Sequence, residues 1–263
     1  MTLRIWQQSS LDVTRLPGYA GFMREHVGNV CAPDVVVDIH GVETGALATD
    51  EYFRYSGHYE HLKVVQIIEN ALRAEREGYD AVAISCFLDS GLEAAREALS
   101  IPVVSSMEVM LEVAAKCGRA VALVTRANHM TDRVDALIRQ YNRQHLIVAH
   151  VALDVPMSLP ALDRAYGGSQ SLVDQFRQQA SGLVRAGADV IIPAEGVLNT
   201  VLVKNGLLEV DGVPVLDSYG ILLAYAEMLV RMRRASHRRM KERAPEEIAA
   251  RLRNATAALL VRP

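Results

Sequence analysis

Cysteine is scarce in this chain. The three cysteines among 263 residues, Cys31, Cys86 and Cys117, cannot all pair, and no two stand in a C-x-x-C spacing. Neither a disulfide framework nor a structural zinc site is expected. The eight histidines form no H-E-x-x-H motif, and neither G-x-G-x-x-G nor G-x-x-x-x-G-K-[ST] occurs. A metal site and a nucleotide cofactor therefore lack support, and no cofactor is expected. No apolar run reaches the roughly 18 residues of a membrane helix. The first residues lack the apolar core of a signal peptide, so the expected location is the cytoplasm. Low-complexity segments are missing too. The net charge of −3 supplies no basic field, so neither nucleic acid nor a membrane is an expected partner.

What remains is an ordinary folded composition, 50% hydrophobic and 22% charged, enough for one large domain or two lobes. Short apolar runs alternate with amphipathic stretches. Strands are predicted at 3–6, 35–39, 80–85, 101–104, 120–125, 146–151, 189–192 and 213–216. Helices are predicted at 61–75, 90–98, 107–116, 131–141, 171–185, 197–204 and 221–234. In the first of these, Leu62, Val65, Ile68 and Leu72 form the expected buried stripe. Gly118 stands where a helix stop belongs, and Pro245-Glu246-Glu247 reads as a further helix start. The alternation predicts an α/β protein with parallel sheets. The segment 231–243 carries seven Lys or Arg against one Glu and reads as a solvated helix face, with a patch for phosphate or an acidic partner as the alternative.

The most informative feature is an internal repeat. Gly78-Tyr79-Asp80-Ala81-Val82-Ala83-Ile84-Ser85-Cys86 matches Gly187-Ala188-Asp189-Val190-Ile191-Ile192-Pro193-Ala194-Glu195 at an offset of 109 residues. Ile101-Pro102-Val103-Val104-Ser105-Ser106 matches Val213-Pro214-Val215-Leu216-Asp217-Ser218 at an offset of 112. Two copies of one βαβ-type unit imply two pseudo-symmetric three-layer α/β lobes: 1–104 plus 213–263, and 105–212. Ligands of open parallel sheets bind beyond the carboxyl ends of the strands. Cys86 and Glu195 sit at such ends, so facing lobes would bring them into one cleft. A cysteine there is often only packing. A glutamate seldom ends a buried strand without a partner or a task.

Around these residues the chain resembles the aspartate/glutamate/hydantoin racemase superfamily. The segment 83–96 is similar to the first-cysteine motif of the hydantoin racemase branch. Gly57-His58-Tyr59-Glu60 resembles the loop that precedes its first long helix. Segments 187–196 and 213–218 resemble its second-half motif. The resemblance implies a cofactor-free enzyme acting on a small molecule, with a homo-oligomer allowed. In the family, two cysteines face each other across the cleft; one thiolate removes an α-proton and the other thiol returns one to the opposite face. Substrates are amino acids, hydantoins, allantoin or related diacids, and relatives with altered cysteines decarboxylate malonates or isomerise maleate. Here Glu195 stands at the second cysteine, and Gln7-Gln8-Ser9 replaces an Asn-Pro-Asn after the first strand.

A model cysteine titrates near ~8.5 and a model glutamate near ~4.3, so the pair is not symmetric as two thiols are. Three chemistries stay open: proton transfer at an acidic carbon by Cys86 and Glu195, attack of Cys86 on a carbonyl as in a hydrolase, and decarboxylation. A binding protein that kept only the cleft is the non-enzymatic alternative. Gln7, Ser9, Ser85, Phe87, Thr125 and Gly196 are the candidate substrate contacts. For Gln7, Ser9 and Thr125, turn and capping roles compete. His40 and His58 are read as structural, as are Cys31 and Cys117.

Overall fold

Two parallel sheets of the same strand order organise the chain. The computed structural model describes residues 2–43, 57–153, 158–236 and 251. In the first sheet the order is β2 (Val35–His40), β1 (Leu3–Ser9), β3 (Ala81–Ser85), β4 (Val103–Ser105). In the second it is β6 (Ile147–Ala152), β5 (Val121–Thr125), β7 (Val190–Pro193). A parallel bridge from Val215 to Ile191 adds the fourth position. Every pairing within these two sheets is parallel. The chain therefore has the predicted α/β architecture, and the repeat seen in the sequence is a repeat of sheet order. The small β8 (Glu209–Val210) and β9 (Val213–Pro214) form an antiparallel hairpin. Its turn, Asp211-Gly212, has both φ positive, as a two-residue hairpin of this hand requires.

The first sheet is buried on both faces because its side chains alternate. Trp6, Val82 and Ile84 face a cluster with Ile67, Ala71, Leu92 and Ala95, on α2 (Gly57–Arg76) and α3 (Leu92–Ala98). Ile5, Ala81 and Ala83 join the main core on the other face, with α1 (Pro17–Val30), α4 (Ser106–Cys117) and α9 (Ser218–Ser236). That core runs on into β5, β7, α7 (Gln170–Arg185) and α8 (Gly196–Lys204). The stretch from 213 onward thus serves both sheets: Val215 joins β7, while α9 packs on β1, β3 and β4. The remaining α-helices among the described residues are α5 (Asn128–Gln140) and the short α6 (Leu159–Arg164).

The repeated Gly-x-Asp has a structural cause. After α2, Tyr79 N–H reaches the Ala74 carbonyl and Gly78 N–H the Glu75 carbonyl; after α7, Ala188 and Gly187 do the same to Leu183 and Val184. This is the Schellman stop, and it needs the positive φ of Gly78 (77°) and Gly187 (102°). The aspartate two residues on then latches the central strand of its sheet. Asp80 Oδ2 accepts from Arg4 N at 2.9 Å, and Asp189 Oδ1 accepts from Ala120 N at 2.8 Å.

Three expectations change. The buried face of α2 is Tyr59, Lys63, Ile67, Ala71 and Ala74, not the stripe from Leu62, which is 41% exposed. Small alanines let the helix lie close to the sheet, and a lysine occupies a core position, so counting large apolar residues selects the neighbouring face. Segment 57–60 is the first turn of that helix rather than a loop. Helix α1 is an addition: Tyr19, Phe22, Met23 and His26 bury one face behind Pro17 at its start. Of the basic segment, Arg231 pairs with Asp34 at 2.6 Å and Arg234 with Asp80 at 2.8 Å, all substantially exposed. Residues 237–243 and Pro245-Glu246-Glu247 lie outside the described residues. Among the described residues no helix is long and apolar enough to cross a membrane.

Gly118 ends α4 with extended backbone, φ −161°, so it is not a left-handed cap. Its role is space: a Cβ there would overlap Asp189 Oδ1. Gly118→Ala is expected to push the Asp189 carboxylate off the Arg119 and Ala120 amides, at a cost of about 1–3 kcal/mol in urea denaturation. The same change in an Asp189→Ala background should cost at least ~0.5 kcal/mol less; strictly additive costs would show the latch to be wrong. The Arg119 and Ala120 amides hold the Asp189 carboxyl below its ordinary value of 3.8. The latch is therefore at full strength above that value and is lost as pH falls through the lower, folded one.

Candidate active site

In both lobes the chain leaves its inner strand at the same end of the sheet. Cys86 follows β3 directly, and Glu195 lies two residues beyond β7. One cavity of about 80 Å³ is lined by both, together with Ser85, Phe87 and Gly196. The lobes meet closely here: a methyl group on Gly196 would sit 3.7 Å from the Ser85 carbonyl oxygen and 3.8 Å from the Tyr19 hydroxyl. The cavity suits a small molecule with a few polar handles.

Glu195 is 7% exposed and is the N-cap of α8. Its Oε2 accepts from Leu198 N at 2.7 Å, and its carbonyl accepts from Asn199 N. The partner that a buried glutamate needs is thus the helix start, where negative charge is favoured. Oε1 has no protein donor among the described residues. Cys86 is 6% exposed, and its Sγ lies 3.4 Å from Ser90 Oγ. The loop 86–91 separates it from α3, which starts at Leu92 and not at 90. The thiol therefore sits in a loop and not in the first turn of α3. Asp89 holds this loop with φ 45°. Its carboxylate caps α4 through Met107 N and Glu108 N and accepts from Tyr141, just beyond α5, at 2.6 Å.

Gln7, Ser9 and Thr125 are fully buried and do not line the cavity. Gln7 Nε2 donates to Ser85 Oγ at 2.6 Å, so it stands behind a cavity residue. Ser9 Oγ accepts from Leu11 N at 3.1 Å, and Thr125 Oγ1 lies 3.4 Å from Thr131 Oγ1. The residues one step further on, Ser10 and Arg126, line the cavity instead. Strand register explains the step. Ser9 pairs with Ser85 and Val124 with Pro193, so Ser10 falls level with Cys86 and Arg126 with Glu195. The period of two could have selected them.

Sequence reasoning also missed Tyr19, Lys63 and Arg133, which line the cavity from α1, α2 and α5. Tyr19 OH lies 3.4 Å from Ser85 Oγ. Burial pushes its phenol above the ordinary value, and Glu195 and Cys86 act the same way, so it stays a hydroxyl donor. His40 stacks on Trp6 with ring centroids 3.3 Å apart, away from this cavity, and His58 is exposed in the first turn of α2. Cys117 is exposed, and partial burial pushes the Cys31 thiol up to about 11. Among the described residues no group of three or more His, Cys, Asp or Glu is placed to hold a metal ion.

Known proteins match this geometry and sequence. The family model for Asp/Glu/Hydantoin racemase matches residues 31–226. The hydantoin racemase of Pseudomonas sp. (strain NS671) is 25% identical over 189 residues, 72% of this chain and 73% of its own. That of Rhizobium meliloti is 25% identical over 171 residues, 65% of this chain and 68% of its own. Among solved structures, the allantoin racemase from Klebsiella pneumoniae superposes with a TM-score of 0.71 at 21% identity, covering 88% of this chain and 89% of that one. The chain belongs to the Asp/Glu/hydantoin racemase family and is an enzyme of the racemase/isomerase type.

Proposed function

We propose that the enzyme moves a proton at an acidic carbon next to a carbonyl or carboxylate, with Glu195 and Cys86 as the two proton-transfer groups. The observation that carries this is their shared cavity, reached from the two copies of one repeated unit. Glu195 Oε1 is the acceptor that removes the proton, and the Cys86 thiol delivers one. Charge that develops on the substrate oxygen meets three kinds of donor. These are the Arg126 guanidinium, the Tyr19 hydroxyl, and the backbone N–H groups of Gly196 and Val197 in the first turn of α8. These donors suit a small carboxylate, or a ring carbonyl such as that of a hydantoin.

The test is incubation in deuterated water with hydantoins, α-amino acids and malonates. Deuterium entering the α-carbon without net conversion is the expected result. Net loss of substrate would instead assign decarboxylation or hydrolysis. Binding with neither outcome would leave only a binding cleft.

Glu195→Gln and Glu195→Cys separate the two roles of this side chain. A glutamine oxygen still accepts from Leu198 N, so stability should hold while exchange falls about 10²–10⁴-fold. A cysteine sulfur is a weak acceptor and makes that cap poorly. It should cost about 1 kcal/mol of stability while restoring a second thiol, with measurable exchange on hydantoins. Near-normal exchange by Glu195→Gln would remove Glu195 from the reaction. Cys86→Ser should lose exchange with the fold intact, checked by circular dichroism.

A further inference from the structure

Glu60 belongs to the segment 57–60 that resembles a family motif, and nothing above uses it. It stands in the first turn of α2, on the side facing the Cys86 loop. Ser90 Oγ donates to Glu60 Oε1 at 2.6 Å, and Ser90 Oγ lies 3.4 Å from Cys86 Sγ. On its other oxygen, Glu60 Oε2 pairs with Lys63 at 2.6 Å and with Arg133 at 3.6 Å. Lys63 is 2% exposed. An ion pair at a core position of a helix is an expensive way to stabilise packing, which apolar side chains achieve at least as well.

Hydrogen-bond counting orients the chain of contacts. Burial would push the Glu60 carboxyl up, but Lys63, Ser90 and Arg133 outweigh it and hold it below the ordinary range. Glu60 is therefore a carboxylate and only accepts. Ser90 has a single hydrogen, which it gives to Glu60. The contact between Cys86 and Ser90 is then Sγ–H donating to Oγ.

We propose that Glu60 is a positioning residue that, through Ser90, carries protons to and from Cys86. The inference rests on the reading of Cys86 as a proton-transfer group. In the outward step the Cys86 S–H bond breaks and Ser90 Oγ takes that proton. Ser90 releases its own proton to Glu60 Oε1. The products are a thiolate, an unchanged serine hydroxyl and a neutral Glu60 carboxyl. The inward step is the reverse. The Glu60 side chain keeps 16% exposure, so it exchanges its proton with water. The relay resets the thiol after it has given its proton to substrate, without passing through the occupied cavity. Around it stand Lys63 on α2, Arg133 on α5, Arg126 beyond β5, Tyr19 on α1 and Glu195 before α8.

The test uses the full chain and needs no substrate. Iodoacetamide labelling is followed across pH, and mass spectrometry reads the Cys86 peptide apart from the exposed Cys117. Glu60→Gln removes the negative charge and leaves Lys63 and Arg133 in place. Both effects favour the thiolate, so the labelling midpoint should move down by about one pH unit. An unchanged midpoint in folded Glu60→Gln would overturn the relay.

Ser90→Ala keeps the Glu60–Lys63 pair and supplies a second reading. Its α-deuterium exchange should fall about 10- to 100-fold through kcat rather than KM, and Ser90→Thr should recover most of it. Wild-type exchange by Ser90→Ala would overturn the relay equally. Absence of exchange in the wild type is a different failure, that of the proton-transfer reading itself, and the labelling midpoint is read independently of it.

Discussion

Parallel register is the constraint from which the site follows. β1 runs beside β3, and β5 beside β7, without a change of direction, so the carboxyl ends of all four strands point the same way within their lobes. Loops can then reach a ligand only at those ends. The Schellman glycines Gly78 and Gly187 and the latches Asp80 and Asp189 set where each inner strand begins. They thereby set where it ends. Cys86 and Glu195 inherit equivalent places from that shared start, six residues beyond the latching aspartate in each copy.

Much of this was legible because the repeat is written in residues with narrow physical meanings. A glycine two positions before an aspartate, followed by an apolar run, encodes a helix stop, a strand latch and a buried strand. What could not be read this way lies on helices whose buried faces carry polar work. Lys63 hides the core face of α2, since a lysine counts against burial and Ala71 and Ala74 count little for it. His26 similarly interrupts the face of α1, where it meets Asp217 at 2.6 Å. The place of Ser9 and Thr125 behind the cavity wall has another origin. Both are polar residues at strand ends, but the alternation of side chains turns them inward, and Ser10 and Arg126 turn out.

On the proposed function, the two proton-transfer groups are supported in different ways, and the difference explains why a glutamate can stand opposite a cysteine. Cys86 lies in a loop and touches Ser90, which is tied in turn to Glu60 of α2. Its one sulfur atom must both hold its hydrogen bond and exchange a proton, so the Ser90 contact changes whenever the thiol ionises.

Glu195 divides these tasks between two atoms. Oε2 stays with Leu198 N while Oε1 faces no protein donor among the described residues. On the proposed function, a proton taken by Oε1 leaves Oε2 as the carbonyl oxygen of a neutral carboxyl, still able to accept from that amide. The cap persists through both protonation states, weakened but not broken, and the side chain need not reorient between them. A thiol at this position would hold the cap only weakly, because sulfur is a poor acceptor and offers no second atom. In a cleft where one group already depends on distant partners, a base that carries its own anchor keeps the pair aligned with fewer surrounding residues.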